Sequence, residues 1–408
     1  MGGETLLGLD VGTTKVAAVV GAREAEATLL GAACTPCTGL RRGSVVDIEE
    51  TTRAIRDSVE RAQRMAGVEL QAAWVGLTGQ HMTCINSRGE VRLARANRQV
   101  TWNDVERVMG VAVSAVSIPP DRRTIHAISR GFIVDDEPRV RNPVGLTASR
   151  LAVDTHIVTV PRNLVQNMGR CVEQAGLGLV ELVAEPLAAA DAVLTEEEEE
   201  LGVLLVDVGG GTTDLALFLE GSIAFTGAVP VAGNYITHDI AVALGVPHPQ
   251  AEQVKLAHGC AQAGMAPEEE MVVLGGEEAE RPVGRRFIAE VIEARVQEMF
   301  QLVAQKLSGL GGIWPPPGGV VVTGGSSLLP GIASVAEQVL GCRARPGRPR
   351  VATGPIDLLE SPALATGVGL VYYAHREAES RRAEPRQEVR VLPILGRVVA
   401  WVRDLFSS

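Results

Sequence analysis

The chain has 408 residues, a formal net charge of −11 at pH 7, 46% hydrophobic residues and only 3% aromatic residues. That length and apolar content suit two domains with sizeable cores and inserted subdomains. The acidic balance argues against wrapping nucleic acid and the scarcity of rings against stacking single-stranded bases, so no nucleic-acid partner is expected.

Residues 5–35 read as strands joined by turns. Within them Leu9-Asp10-Val11-Gly12-Thr13-Thr14-Lys15 places a carboxylate at a strand end, then a glycine, two hydroxyls and an ammonium. Lys15 there is either a phosphate contact or a solvated edge charge. Met1-Gly2-Gly3-Glu4 leads straight into the first strand, so no secretory signal peptide is expected, and no apolar run is long enough to span a bilayer. Six cysteines lie scattered along the chain; Cys34 and Cys37 lack the second pair that a zinc site needs, and the thiols are read as reduced in a cytosolic protein.

Ile48–Ala66 carries Ile48, Thr52, Ile55, Val59, Ala62 and Met65 at helical spacing and is expected to be an amphipathic helix. Trp74–Gly79 reads as a strand and turn. Residues 84–160 change character: strand-like segments at Thr124–Val134 and Ala152–Val160 flank one helix around Trp102–Val116, which suggests a small inserted α+β subdomain. Pro161 opens a helix that Gly176 closes, a short strand follows at Leu179–Val183, and Ala184-Glu185-Pro186 opens a helix of small residues. Glu185 either positions a water or is a helix-terminus carboxylate favoured by the macrodipole. Glu196–Glu200 reads as a solvated linker.

The chain is organised around Val203–Asp214, where an apolar run ends in Asp207-Val208-Gly209-Gly210-Gly211-Thr212-Thr213-Asp214. Glycines let several N–H groups approach one anion, and Asp207, like Asp10, suits a hydrated Mg²⁺, a hard cation that prefers oxygen. Set beside residues 9–20, the stretch looks like the same device with two extra glycines, so strand–Asp–Val–Gly–Thr–Thr–strand occurs twice about one domain apart. Two such loops suit a polyphosphate clamped from both sides.

Downstream, Val231-Ala232-Gly233-Asn234 leads into a helix to about Leu244, and Gln250–His258 reads as another. Glu252 and Lys255 lie one turn apart there, as ribose and adenine contacts or as an ordinary ion pair. Phe287–Leu307 is a long amphipathic helix. Val320–Thr323 followed by Gly324-Gly325-Ser326 repeats the strand–glycine–hydroxyl theme and permits close approach of a base or α-phosphate. Ser361–Leu370 reads as a small-residue helix crossing the 186–193 helix at a hinge. Residues 375–390 are charged and read as a flexible linker. In 391–408, Leu392, Leu395, Val399, Val402 and Phe406 follow helical spacing, with Trp401 nearby and charges at 397, 403 and 404, which suits a helix lying in an anionic membrane interface; the alternative is a helix docked on its own domain.

The paired loops resemble those of the actin-like ATPases. Further motifs narrow the resemblance over nearly the whole chain: Leu77-Thr78-Gly79-Gln80-His81, Asn142-Pro143-Val144-Gly145-Leu146, Ala251-Glu252-Gln253-Val254-Lys255 and the tail Trp401-Val402-Arg403-Asp404-Leu405-Phe406 are similar to those of the FtsA family of bacterial cell-division proteins. The resemblance implies an α/β actin-like two-domain fold: subdomain 1A at 1–83 and 161–200, an inserted subdomain 1C at 84–160, 2A at 201–232 and 318–374, 2B at 233–317, then the linker and a C-terminal membrane-targeting helix. It implies ATP with Mg²⁺ in the cleft, with Asp10 and Asp207 holding the cation through waters. Gly12, Thr13, Thr14 and Gly209–Thr213 would cradle phosphates, and Glu185 or Asp214 would position water for a weak ATPase. It also implies filaments on the inner membrane at the division septum and recruitment of later division proteins. The FtsZ C-terminal tail would bind at 2B, where Arg295 is the best candidate for an acidic peptide unless it is a solvated helix charge. A PilM-like pilus scaffold and a small-molecule kinase of the same superfamily are the alternatives.

Overall fold

A computed structural model describes residues 5–23, 27–93, 97–275, 281–310, 314–351 and 359–383. The chain opens with β1 (Thr5–Val11), β2 (Lys15–Arg23), β3 (Ala27–Pro36), the two-residue strands β4 (Leu40–Arg41) and β5 (Ser44–Val45), α1 (Ile48–Ala66) and β6 (Ala72–Leu77). The helix expected at 48–66 forms because Asp47 caps it, its carboxylate accepting from Glu50 N at 3.0 Å, and because Gly67 at φ 68° ends it. Its Ile55, Val59 and Ala62 are buried in the first core.

The insert follows as β7 (Thr83–Arg92), β8 (Arg98–Gln99), α2 (Trp102–Ser114), β9 (Arg122–Val134), β10 (Glu137–Val140), β11 (Thr147–Ala148) and β12 (Arg150–Pro161). Its main sheet has the order β10-β9-β12-β7, and α2 contributes Val108 and Ala112 to a separate small core. The Thr101 box that starts α2 is closed by Asp104, which also takes a bidentate pair from Arg98 at 2.6 and 2.7 Å. Beyond lie α3 (Arg162–Gln174), β13 (Gly178–Ala184), α4 (Glu185–Val193) and α5 (Glu196–Leu201). The run expected to be a solvated linker is thus a capped helical turn: Thr195 Oγ1 accepts from Glu198 N at 3.2 Å, and Glu198 takes a bidentate pair from Arg345, both at 2.6 Å. Arg345 is thereby bound within the chain.

The second half is β14 (Val203–Val208), β15 (Thr213–Leu219), β16 (Ser222–Val229), α6 (Gly233–Leu244), α7 (His248–His258), β17 (Met271–Leu274), β18 (Arg281–Gly284), α8 (Arg285–Leu307), β19 (Val320–Thr323), α9 (Ile332–Leu340), β20 (Ala344–Pro346) and α10 (Ala365–Ala383). The two five-stranded sheets have one topology. The order is β13-β6-β1-β2-β3 in the first and β16-β15-β14-β19-β20 in the second, each with an antiparallel hairpin leading into a meander and parallel partners on the other side. The duplication read from two motifs is therefore a duplication of whole sheets.

Helix α10 continues through Ala383, so residues 375–383 are helical rather than the start of a flexible linker. The reason lies at its middle: Tyr373 is buried edge-on to Trp74, and Arg376 pairs with Asp191 of α4, which anchors the turns that the charge pattern alone made look unfixed. The proposed membrane-facing residues Leu392, Leu395, Val399, Trp401, Val402 and Phe406 lie outside the described residues. Among the described residues no helix is long and apolar enough to cross a membrane.

The insert also touches the second half. Buried His156 on β12 meets Asn86 Oδ1 at 2.7 Å and Thr226 Oγ1 of β16 at 3.1 Å, while Asn86 donates to Ala224 O at 2.9 Å. Burial pushes the His156 imidazole down to about 3, with Arg130 adding to the effect, so the ring is neutral, donating from Nδ1 and accepting at Nε2.

Candidate functional site

The two hairpin tips face each other. Gly12 N donates to Lys15 O at 3.0 Å, and Gly209 N donates to Thr212 O at 3.0 Å, so Gly12-Thr13-Thr14-Lys15 and Gly209-Gly210-Gly211-Thr212 are turns of equal length. The expectation that the first loop is the shorter by two glycines is corrected: Thr13 and Thr14 stand where the second loop has Gly210 and Gly211. The exchange has a steric reason. A Cβ at Gly210 would lie 2.4 Å from the Thr14 methyl, and one at Gly211 2.5 Å from Thr13 Oγ1. The hydroxyls of one loop thus fill the space that the glycines of the other leave.

Beneath the tips the strand ends bring four carboxylates into one buried group. Asp10 and Asp207 are the next-to-last residues of β1 and β14, Asp214 is the second residue of β15 and lies directly across from Asp207, and Glu185 opens α4. Asp214 accepts from Thr78 Oγ1 at 2.5 Å and from Thr212 Oγ1 at 3.1 Å; Asp207 accepts from Thr366 Oγ1 at 3.1 Å. Glu185 Oε1 is buried without a hydrogen-bond partner. Burial, reinforced by Asp214 and Asp10, pushes the Asp207 carboxyl up to about 7, while the Thr366 hydroxyl and Lys15 offset part of it. Asp10 rises to about 6 through burial, offset by Lys15; Asp214 rises to about 6 through burial, offset by its hydroxyl donors. Glu185 is raised as well, by burial and then by Asp10, Asp214 and Asp207.

Such a group is costly by itself and is relieved by a cation. The donor set is all oxygen, and one carboxyl oxygen of the group, Glu185 Oε1, is buried without a partner, so the residues present fit a hydrated Mg²⁺. Among the described residues no group of three or more His, Cys, Asp or Glu side chains is arranged to hold a metal ion by itself.

The remaining predicted residues surround this centre unequally. Gly233 N and Asn234 N donate to Gly209 O at 3.1 Å and Gly210 O at 2.8 Å, which ties the start of α6 to the second loop. Ser326 Oγ donates to Gly209 O at 3.0 Å, and a Cβ at Gly324 would lie 2.2 Å from Asp207 Oδ1, so only glycine fits there. Gly325 begins the short turn that carries Ser326. Thr213 is turned away into the second core, donating to Val231 O at 2.7 Å. Lys255 is buried, paired to Glu252 at 2.7 Å and donating to Thr237 Oγ1 at 2.9 Å beside Gly233. Lys15 donates to Ala363 O. Arg295 is not a solvated charge: Asp239 takes it at 2.5 and 3.0 Å, Glu298 pairs with it, and its guanidinium lies 5.7 Å from the Tyr235 ring centre. Thr78 and Thr366 carry roles that the sequence did not suggest, although both stand in motifs already noted, each one residue before a glycine. Thr78 follows β6, and Thr366 lies in the first turn of α10.

Comparison with known proteins decides the family. Over 415 residues the chain is 38% identical to the cell division protein FtsA of Pseudomonas aeruginosa, with 99% of each chain covered. The chain belongs to the FtsA family of cell-division proteins. FtsA of Neisseria meningitidis is 34% identical over 98% of both chains, and that of Bacillus subtilis 35% identical over 92% of this chain and 84% of its own. The family model described as cell division protein FtsA matches residues 204–369, and that for the SHS2 domain inserted in FtsA matches 79–159, which spans the insert from β7 almost to the end of β12. Among solved structures, the PilM-PilN type IV pilus biogenesis complex aligns with a TM-score of 0.65 at 18% identity, covering 91% of this chain and 98% of its own. ADP-bound MreB5 of Spiroplasma citri aligns at 0.54 and 16%, covering 93% and 99%. These likenesses establish the actin-like fold of this FtsA-family chain.

Proposed function

We propose that this cell-division protein binds ATP with Mg²⁺ between the two hairpin loops, assembles into filaments on the inner membrane at the septum, and tethers the FtsZ C-terminal tail there while recruiting later division proteins. The observation that carries the nucleotide reading is the buried carboxylate group beneath two interlocked glycine–hydroxyl loops. Asp10 and Asp207 hold the cation through waters; Gly12, Thr13, Thr14, Lys15 and Gly209–Thr212 bind phosphates; Gly233, Asn234, Glu252, Lys255, Gly324, Gly325 and Ser326 surround the nucleoside. Bound Mg-ATP supplies the phosphoryl group and its charge compensation. Glu185, held off solvent with a raised affinity for protons, is placed to orient a water and take its proton, with Asp214 fixed beside it by Thr78 and Thr212. Glu185→Gln should slow phosphate release about 100-fold while nucleotide affinity stays within about threefold. Single-turnover assays check this, and an unchanged rate would make Glu185 a helix-terminus carboxylate only.

The proposed division into 1A, 1C, 2A and 2B is supported by the duplicated sheets and the insert, with α10 counted with 1A rather than 2A because its Val368, Val371 and Tyr373 are buried in the first core. Arg295 remains the proposed contact for the acidic tail, which must then compete with Asp239 and Glu298 for it. The membrane contact is assigned to Leu392, Leu395, Val399, Trp401, Val402 and Phe406, whose spacing suits the interface and whose affinity is multiplied by polymer avidity. Co-sedimentation with anionic liposomes, with and without ATP and the FtsZ tail peptide, tests the whole reading. Full-length protein should pellet with ATP and carry the peptide down, and deletion of 391–408 should cut lipid binding by at least about tenfold. Equal pelleting of the two chains would remove the tether.

A further inference from the structure

The cleft has a second connection that the nucleotide chemistry does not use. The β4–β5 hairpin turns at Arg42 (φ 51°) and Gly43 (φ 80°). Arg42 is not a glycine and yet holds the left-handed conformation, which persists where surroundings enforce it. The enforcement is visible: a Cβ at Gly43 would lie 2.6 Å from Thr78 O, and one at Gly79 3.2 Å from Arg42 O. The hairpin tip is therefore seated on the Thr78–Gly79 turn, the turn whose hydroxyl holds Asp214.

From that seat the Arg42 guanidinium crosses to the other half of the molecule, donating to the Tyr235 hydroxyl with its carbon 5.9 Å from the ring centre. Tyr235 stands one residue beyond Asn234, on the stretch whose N–H groups bond the second loop. Arg295 lies against the same ring at 5.7 Å and is fixed by Asp239 and Glu298. One aromatic ring thus meets a guanidinium from each half: Arg295 is held by ion pairs within its own half, and Arg42 is anchored to its half through the seated backbone of its hairpin.

We propose that Arg42 and Tyr235 form a clasp across the mouth of the cleft that retains bound nucleotide, and that Arg295 couples this clasp to the proposed acidic-peptide surface. The proposal rests on the nucleotide reading given above. Arg42 is a positioning residue: it is joined to the hairpin seated on the Asp214-supporting turn, and its partner to the second loop, so opening the cleft requires breaking the pair. An acidic peptide that draws Arg295 from Asp239 also removes the cation that fixes the ring, and loosens the clasp.

The test is stopped-flow release of a fluorescent ATP analogue from full-length protein, as wild type, Arg42→Ala, Tyr235→Phe and the double variant. Release should accelerate roughly three- to tenfold in each single variant, and the double variant should be no faster than the faster single one. Arg42 is exposed, so Arg42→Ala should melt close to wild type; should it not, Tyr235→Phe, which keeps the ring and loses only the hydroxyl, decides by the same rate. Unchanged release in both single variants, or fully multiplicative effects in the double, overturns the clasp. If wild type binds no nucleotide, the nucleotide reading fails instead, and the two failures are distinct. Saturating FtsZ-tail peptide should speed release from wild type and leave the Arg42→Ala rate unaltered; equal acceleration in both severs Arg295 from the clasp.

Discussion

Replacing Asp207 by Asn is expected to stabilise the nucleotide-free protein at pH 8 by on the order of 3 kcal/mol while abolishing Mg-ATP binding. The carboxyl goes from an ordinary value of 3.8 to about 7 on folding, chiefly because it is buried and secondly because Asp214 and Asp10 repel its charge. An acid whose folded value is raised binds its proton more readily in the native state, so native stability is greatest below the unfolded value and falls as pH climbs from about 4 to about 7. Asn stays neutral across that window. The two proteins should therefore unfold alike near pH 4 and diverge up to about pH 7, after which the gap is constant. His126 and His156, whose buried rings titrate low, push the other way but do so equally in both proteins and cancel from the difference. Urea unfolding at pH 4.5 and pH 8, with and without Mg-ATP, measures it. A variant no more stable at pH 8 would mean that the carboxylate is well solvated. The sign matters, because a site that is destabilising until its ligand arrives is the signature of function bought with stability.

How much of this site was legible beforehand differs residue by residue. Asp10, Asp207 and the glycines announce themselves, because a carboxylate at the end of an apolar run followed by glycine has few structural uses. The register of the two loops was not legible: Thr13-Thr14 pairs by eye with Thr212-Thr213, whereas the turn hydrogen bonds equate it with Gly210-Gly211. Only the opposed packing of two loops reveals that glycine in one answers threonine in the other. Glu198 and Arg345 show the same limit, since 147 residues separate the partners of that ion pair and composition sees only a charge run. Arg42 left no trace in any periodicity, because its importance comes from where the hairpin sits. Helix α4 and the glycines of α10 were foreseen as a close crossing, since small residues at helical spacing have that one consequence whatever the fold.

That crossing carries the other large expected effect. A Cβ at Gly369 would lie 1.7 Å from Ala188 O and 2.4 Å from its carbonyl carbon. Both obstacles are backbone, so no rotamer change relieves the clash, and the helices must part. On the opposite side a Cβ at Gly8 would lie 2.6 Å from Gly367 O, so α10 has little freedom to retreat onto β1. Gly369→Ala should therefore cost about 3 kcal/mol or more, at the upper end of overpacking effects. It should also weaken nucleotide binding at least about tenfold, because α10 brings Thr366 to Asp207 and α4 brings Glu185 to the same group. Gly169→Ala is the matched control. Gly169 lies inside α3 with nothing within 4 Å of an added Cβ, so there the methyl should stabilise by about 0.5–1 kcal/mol through helix propensity alone. One chemical change with opposite signs at two helical glycines, read from urea midpoints, separates the entropy of glycine from its service as a gap. A Gly369→Ala protein as stable as wild type would mean that α4 and α10 do not cross at backbone contact, and the hinge they form would have to be sought elsewhere.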